Sequence, residues 1–427
     1  MTAKLKGPFN TLDDWLAWLE TLSPREIDLG LERVLEVLGR LELRKPATVI
    51  HVAGTNGKGS CAAMLEALLR GAGARTGCYT SPHLLRYNER IRLNGVPADD
   101  AGIISALETV ESVREGLPLT YFEFGTLAAL VVFERNGADT LVLEIGMGGR
   151  LDAVNAVEPD VGIITNVDRD HCEWLGNDAE TIAGEKAGIM RAGKPVVFGS
   201  EVIPAAITAS AARIGADLRI LGRDFWYTRD PARPEKWNWR GRKVILDGIA
   251  VPSLAGRFQL QNASAVLASL EAIDRGDALA PDRVSKALQS LALPGRFQWL
   301  ERKRRWLLDV AHNPHAAAGL ATSLAALEPR PPVTAIIGVL ADKEVRGIVT
   351  PLLPHVARWI AVTAHNSRAL PARELAQSVS HLADKPCLVA DDLSQAMSFA
   401  ESQADVDEVI LVTGSFYTVG PALEALQ

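Results

Sequence analysis

Hydrophobic positions between residues 11 and 43 recur at three- and four-residue spacing, through Trp15, Leu16 and Leu19 and then Val34, Leu35, Leu38 and Leu41. That period predicts two amphipathic helices. Beyond them the pattern shifts to short β-rich runs at 48–53, 76–80, 140–145, 161–166 and 195–199, with helical stretches between most of them. Apolar strands alternating with helices predict a mainly parallel sheet covered by helices. Residues 223–252 break the rhythm, because Trp226, Trp237 and Trp239 stand among Arg, Asp and Pro in short alternating runs. A small antiparallel sheet is expected there, closing over the edge of the core. Helical spacing returns at 261–273 and 282–291, and Leu293-Pro-Gly-Arg296 is a turn signal. A second alternation follows, with strands expected at 306–310, 334–339, 359–363, 387–390 and 409–412. The fold class is therefore α/β in two domains. Residues 1–295 form a mainly parallel sheet plus the small antiparallel one, and 296–427 a smaller Rossmann-like domain.

Composition agrees with two domains, since 427 residues exceed what one hydrophobic core usually serves. With 48% hydrophobic and 23% charged residues the chain reads as an ordinary globular protein. A net charge of -7 and a pI near 5.7 argue against nucleic acid as a partner. The basic run Arg302-Lys-Arg-Arg305 reads as solvated strand ends. No apolar run is long enough to span a bilayer, so no membrane partner is expected. The first residues lack the apolar core of a signal peptide. Cysteines 61, 78, 172 and 387 lack the spacing of a zinc site or a disulfide framework, so a reducing cytoplasm is the expected compartment. Nothing in the sequence demands more than a monomer.

The chemistry begins at His51-Val-Ala-Gly-Thr-Asn-Gly-Lys-Gly-Ser60, a strand running into a glycine-rich turn. Glycines 54, 57 and 59 let backbone N–H groups converge on a phosphate, Lys58 adds a charge, and the following segment reads as a helix whose N-terminus faces the same anion. Thr55, Asn56, Gly57, Lys58, Gly59 and Ser60 thus predict a nucleoside triphosphate site. The usual pattern places Ser or Thr after the lysine to bind Mg²⁺, but Gly59 stands there. A metal ligand must then come from another strand end. Those ends offer Ser81, Glu144 and His171, a hydroxyl, a carboxylate and an imidazole suited to a divalent cation. Singly, Ser81 reads as a turn cap before Pro82 and His171 as an ordinary hydrogen-bonded residue. Glu144, at a buried strand end, needs a cation or donors, and the joint placement points to metal. Lys186, near the end of a helical stretch, reads from sequence alone as half of a surface ion pair. In the second domain Asp309, His312 and Asn313 share one strand end and Ser415 follows the last strand. Asp309 suits a ribose, and His312 with Ser415 a polar substrate.

These motifs, taken together and in order, resemble those of the folylpolyglutamate synthase and dihydrofolate synthase family, ATP-dependent amide ligases related to the Mur ligases. The resemblance runs through nearly the whole chain. It rests on Ile27-Asp-Leu-Gly-Leu-Glu-Arg33, Gly54-Thr-Asn-Gly-Lys-Gly-Ser60, Ser81-Pro-His83, Thr120-Tyr-Phe-Glu123, Glu144-Ile-Gly-Met-Gly-Gly-Arg-Leu-Asp152, Asp170-His171, Glu185-Lys-Ala-Gly-Ile189, Pro294-Gly-Arg-Phe297 and Asp309-Val-Ala-His-Asn-Pro314.

The resemblance implies that residues 55–58 hold ATP phosphates and that Ser81, Glu144 and His171 bind magnesium. Lys186 matches a lysine carboxylated on its amine, which replaces the surface ion pair with a metal-supporting carbamate. Asn262, Arg296 and Asp309 match nucleotide contacts, with ATP between the domains. His312 and Ser415 match positions linked to the incoming L-glutamate or its activation, and the catalytic set becomes Lys58, Lys186, His312 and Ser415. Asp28, Thr120, Tyr121, Phe122, Glu123, Leu151, Asp152 and Ala153 match pterin-binding segments, implying dihydropteroate as well as reduced folates as substrates. Expected cofactors are ATP and Mg²⁺ at two sites, with room for a monovalent cation. Met147, standing where Leu is common, is a small departure, and 223–252 carries no family motif.

Two other readings stay open at this point. A Mur-type ligase acting on a cell-wall precursor shares the ATP chemistry but not the pterin segments. A P-loop nucleotide switch would make no bond and leaves the Asp309–Pro314 cluster unexplained.

Overall fold

The computed structural model describes residues 9–23, 28–170, 172–176, 178–256, 258–405 and 407–427. They form two compact units. The first is built from described residues of Met1–Val167, Leu175–Val251 and Gln261–Ser290, the second from those of Asp168–Trp174, Pro252–Leu260 and Leu291–Gln427.

The first unit centres on strands β1 (Thr48–Ala53), β2 (Thr76–Tyr79), β3 (Ile91–Leu93), β4 (Val96–Pro97), β5 (Thr140–Glu144), β6 (Val161–Ile164), β7 (Pro195–Phe198) and β8 (Asp217–Ile220). Their order across the sheet is β4-β3-β2-β5-β1-β6-β7-β8. Pairing is parallel from β2 to β8, and β3 and β4 add an antiparallel edge. Every residue of β5 and β6 is buried, as is β1 beyond Thr48, the signature of a parallel strand covered on both faces. The chain leaves β1 for β2, returns to β5 beside β1, then crosses to β6 on its other side. Such a reversal opens a crevice past the carboxyl end of β1, where open α/β sheets bind ligands. The register levels Glu144, the last residue of β5, with Val52, so the carboxylate stands beside the exit into the glycine turn.

Strands β9 (Trp226–Arg229), β10 (Lys236–Arg240) and β11 (Ile245–Ala250) form the expected antiparallel sheet. Strand alternation turns Trp237 and Trp239 inward, where both are buried; their indole N–H groups donate to the Ala250 carbonyl and the Ser264 hydroxyl, each at 3.0 Å. Trp226 stays 42% exposed and lines an open groove of about 970 Å³ with Arg240 and Ile245, which share its face of the sheet. Glu271, buried on the helix Gln259–Ala272, fastens the β10–β11 turn. Its carboxylate accepts the backbone N–H groups of Arg242, Lys243 and Val244 at 3.1, 2.7 and 2.8 Å.

The second unit carries β12 (Gln298–Glu301), β13 (Arg305–Asp309), β14 (Val333–Ile337), β15 (Val356–Ala361), β16 (Cys387–Val389) and β17 (Val409–Thr413), in the order β12-β13-β17-β14-β15-β16. All pairs are parallel except the β12–β13 hairpin, whose turn holds Arg302–Arg304. Phe258 belongs to this unit because its ring stacks on His315 at 4.7 Å and lies against Gly319, where a Cβ would meet it at 2.8 Å.

Glu271→Ala leaves three backbone N–H groups without their acceptor. We expect a loss of about 2–3 kcal/mol of stability, measured as a lower thermal midpoint of the first unit; an unchanged midpoint would contradict the fastening role.

Candidate active site

The glycine turn leads from β1 into the helix Lys58–Gly71. Gly57 occupies the N-cap at φ 87° and supplies no side chain, so the cap leaves the first N–H groups of the helix unclaimed by a side-chain oxygen. A Cβ there would also fall 2.7 Å from Oδ1 of Asn262. The turn is braced from β6. Thr165 donates its hydroxyl to the Asn56 carbonyl at 2.6 Å, and Asn166 donates Nδ2–H to the same carbonyl at 3.0 Å while its Oδ1 accepts the Asn56 N–H at 3.0 Å. The Thr55 N–H donates to the Asn166 carbonyl at 3.1 Å. Lys58 folds back, its ammonium donating to the carbonyls of Gly54 and Thr55 at 3.0 and 3.1 Å. Ser60 is buried on the same turn of helix.

Ser81 and Glu144 meet beside this turn. The Ser81 N–H donates to Oε2 of Glu144 at 3.2 Å, and a Cβ on Gly59 would lie 3.7 Å from that oxygen. The position lacking a hydroxyl therefore faces a buried carboxylate. His171 lies outside the described residues. Lys186 ends the helix Ala179–Lys186 and is 3% exposed, so it is no surface ion pair. A Cβ on Gly149 would meet its Cα at 3.1 Å, so the 146–150 loop lies close against it.

The segments 120–123 and 146–153 are joined through Phe122, whose ring would touch a Cβ on Gly146 at 2.6 Å and lies 5.8 Å from that of Tyr79. Tyr121 packs edge-on to Tyr87 at 6.0 Å, with the Arg90 guanidinium over both rings. Arg90 also donates Nε–H to Nδ1 of His83 at 2.9 Å. Thr120 and Glu123 form a capping box: Glu123 accepts the Thr120 N–H at 2.7 Å, and its own N–H donates to the Thr120 hydroxyl at 3.3 Å. Arg33 then ties Glu123 to Asp28, each at 2.9 Å. Asp152 is buried between Leu151 and the buried Ala153; its carboxylate accepts the N–H groups of Met147 and Val154 at 2.9 and 3.0 Å. Burial pushes its pKa up to about 7 against the pull of those N–H groups and of the Lys58 charge. That pull places Lys58 electrostatically within reach of the 146–153 segment.

In the second unit Asp309 ends β13, where it accepts the N–H groups of Phe297 and Ala311, both at 2.9 Å. Burial raises its carboxyl above the ordinary value, and the Arg296 guanidinium opposes this. Arg296 also lies over the Phe416 ring at 5.2 Å. His312 donates Nδ1–H to the Val310 carbonyl at 2.8 Å, which leaves Nε2 as the acceptor of the neutral ring. Asn313 caps the helix Pro314–Ala325 through Oδ1. Ser415 shares a hydroxyl–hydroxyl bond of 2.8 Å with Thr418, which donates to the Gly338 carbonyl. The residues that motif reading passed over as site members are Thr165, Asn166, Arg33, Asp170 and Lys343. Thr165, Asn166 and Lys343 follow strand-like runs, as ligand-binding residues in this fold class do, while Arg33 and Asp170 stand inside family motifs quoted above.

Comparison with known proteins identifies the architecture. Residues 52–214 match the Mur ligase middle domain and residues 295–416 the Mur ligase, glutamate ligase domain. The Escherichia coli dihydrofolate synthase/folylpolyglutamate synthase is 38% identical over 416 residues, covering 97% of this chain and 95% of that protein. A solved E. coli structure in complex with DHPP and ADP superposes with a TM-score of 0.91 at 37% identity, over 97% of each chain. The bifunctional Yersinia pestis enzyme, solved with Mn, AMPPNP and L-glutamate bound, gives 0.88 at 39% identity over 98% of each chain. The chain belongs to the dihydrofolate synthase/folylpolyglutamate synthase family, within the Mur ligase fold.

Proposed function

We propose that this protein is an ATP-dependent ligase that joins L-glutamate to dihydropteroate, forming dihydrofolate, and to reduced folates, forming folylpolyglutamates. The observation that carries the reading is the convergence in the first unit of a phosphate loop, its lysine and the segments 120–123 and 146–153. DHPP with ADP in the E. coli relative, and L-glutamate with an ATP analogue in the Y. pestis relative, support the same substrates.

In this reading the backbone of 55–60 and the Lys58 ammonium hold the phosphates, with Asn262 beside Gly57 and with Arg296 and Asp309 as further nucleotide contacts. The substrate carboxylate attacks the γ-phosphorus, giving an acyl phosphate and ADP. The glutamate amine then attacks the acyl carbon, phosphate leaves, and an amide forms. Two anions meet in the first step, so Lys58 must leave its carbonyl partners and offset the phosphoryl charge. The buried Glu144 carboxylate beside Gly59 fits a divalent cation, and Ser81, whose backbone N–H it accepts, would bring its hydroxyl to the same ion. Mg²⁺ bound there, with His171 and carboxylated Lys186 as the other supports, would supply positive charge at the phosphates. Tyr121, Phe122, Leu151, Asp152 and Ala153 would bind the pterin ring, with Asp28, Thr120 and Glu123 fixing the walls. His312 and Ser415 would hold glutamate. We assign the protein to the cytoplasm as a monomer. The described thiols of Cys61, Cys78 and Cys387 are free, and among the described residues no helix is long and apolar enough to cross a membrane.

The deciding experiment supplies ATP, L-glutamate and either dihydropteroate or tetrahydrofolate and looks for the amide product. ATP turnover without glutamate would favour a nucleotide switch. Lys58→Ala should reduce both ligations by about a thousandfold or more, as expected for loss of a charge at a phosphoryl group; retained turnover would remove the P-loop assignment.

Asp152 gives a pH signature. Its folded pKa lies above the usual carboxyl value of 3.8, so from there to about pH 7 the folded chain keeps a proton that the unfolded chain has lost. Wild-type stability therefore falls across that window as pH rises. Asp152→Asn should gain on wild type over the same window, read as the difference in thermal midpoint between pH 4 and pH 8; a constant difference would contradict the shifted pKa.

A further inference from the structure

The antiparallel sheet β9–β11 carries no family motif and is charged opposite to the chain as a whole. Residues 223–243 hold seven Lys or Arg against three Asp or Glu, in a chain whose net charge is -7. Four of these cations are spent within the fold: Arg223 on Asp224, Arg233 on Asp230, Arg242 on Asp217 and Asp224, and Lys243 on Asp274, at 2.7 to 3.1 Å. Lys236 and Arg240 are not, since neither side chain has an ion pair or hydrogen bond among the described residues.

Their placement is regular. Strand β10 turns Trp237 and Trp239 into the core, so Lys236, Asn238 and Arg240 share its opposite face. Successive members of that row stand roughly 6.8 Å apart along the strand. Oδ1 of Asn238 accepts the Gly248 N–H at 2.8 Å, where the β10–β11 register shifts, which leaves the amide N–H groups of Asn238 for a ligand. On β9, Trp226 pairs with Arg240 and Thr228 with Asn238. The open groove of about 970 Å³ runs over these four residues. Asp247 lines it from β11, on the other side of β10 from Trp226, so the donors lie along β10 and β9.

Donors at that spacing suit an extended chain of carboxylates. A γ-linked glutamyl unit spans five backbone bonds, roughly 6 Å when extended, so its α-carboxylates recur close to the spacing of the row. A triphosphate instead concentrates its charge in one place, and the net charge of the chain disfavours nucleic acid.

We infer that this face of β10, together with Trp226, is a binding site for the γ-glutamyl tail of a folylpolyglutamate. The Trp226 indole takes the p-aminobenzoyl ring that bears the tail, and Arg240, Asn238 and Lys236 in turn take successive carboxylates. The identity of the tail rests on the proposed function. The site is a further one, because no residue of the phosphate turn or of segments 120–123 and 146–153 lines the groove.

The test uses the full chain, with free tri-γ-glutamate and its p-aminobenzoyl conjugate as probes and calorimetry as the readout. Wild type should bind the conjugate about threefold or more tightly than the free tail, and Trp226→Ala should remove that difference. Lys236→Glu/Arg240→Glu should weaken both probes about tenfold or more, the scale expected when two exposed ion pairs turn repulsive. Lys236→Arg/Arg240→Lys, which keeps both charges, should stay within about threefold of wild type. The charge reversal touches no partner in the fold, so the thermal midpoint should hold. The Kd for ADP and the KM for dihydropteroate, which carries no tail, should stay within about twofold. Probe affinity within about threefold of wild type in the folded charge-reversal variant would overturn the inference, as would single-stranded DNA of equal charge binding wild type more tightly than the conjugate. Ligation of tetrahydrofolate separates the underlying reading. If no amide forms, the folate source of the tail falls with the proposed function. If the amide forms while charge reversal leaves probe binding intact, the inference alone falls.

Discussion

The shape of the phosphate turn depends on a single brace, the grip of Thr165 and Asn166 on Asn56. Three hydrogen bonds between 2.6 and 3.0 Å converge on the backbone of one residue, and they dictate the residues around it. Gly54 lies at φ 142°, and a Cβ there would fall 1.8 Å from the Thr165 hydroxyl, so Gly54 cannot gain a side chain while Thr165 holds its place. With the turn fixed, the first turn of the helix presents Gly59 to Glu144 and leaves the space in which Ser81 meets that carboxylate. The absent Walker hydroxyl is thus matched by a strand-end carboxylate that a larger residue at 59 would crowd.

Segments 120–123 and 146–153 show a second constraint, because most of their polar groups are taken up by the fold itself. The carboxylate of Glu123 is taken by the Thr120 N–H and by Arg33, and Asp28 meets the same guanidinium. These polar groups stiffen the start of the helix Tyr121–Arg135. Beside them Phe122 packs near Tyr79 and Tyr121 near Tyr87, with Arg90 over the Tyr121 ring, and Asp152 is the nearby carboxyl held by backbone N–H groups and the Lys58 field. That division suits a planar heterocycle, which wants an aromatic surface and one polar anchor.

Much of this was legible in the sequence because parallel strands buried on both faces write themselves as unbroken apolar runs. Strands β1, β5, β6, β7, β13, β14 and β17 fall on such runs, whereas β16 is apolar but exposed at Leu388 and Val389. The missed strands have polar or short edges: Asp217–Ile220 carries Asp and Arg, Ile91–Leu93 is three residues long, and Gln298–Glu301 is half polar. Strand β15 also begins earlier than its apolar run, at Val356, because Arg358 interrupts the hydrophobic pattern. In the site, glycines and strand-end polar residues announced themselves, Asp170 among them in the Asp170-His171 motif, whereas Lys343 did not. Its pairing with Asp170 spans 173 positions of chain, which no local pattern encodes. The buried character of Lys186 was hidden too, since its neighbours Glu185 and Ala187 are compatible with either surface or core.

Two buried ionisable groups, one inside β1 and one in the loop after β5, set how the first unit responds to acid. His51 lies wholly within β1, and burial lowers its pKa to about 3. It stays neutral when folded but protonates near its ordinary value when unfolded, so its contribution to stability is lost as pH falls below about 6.5. Asp152 acts in the opposite sense over nearly the same window, because it holds a proton that the unfolded chain releases. The two slopes partly cancel, and the net pH dependence of the first unit understates the charge strain stored beside the phosphate turn. Ligands break that cancellation. A polyphosphate that draws Lys58 away from the field of Asp152 removes one of the forces holding that carboxyl down, while His51, buried within the sheet, is untouched.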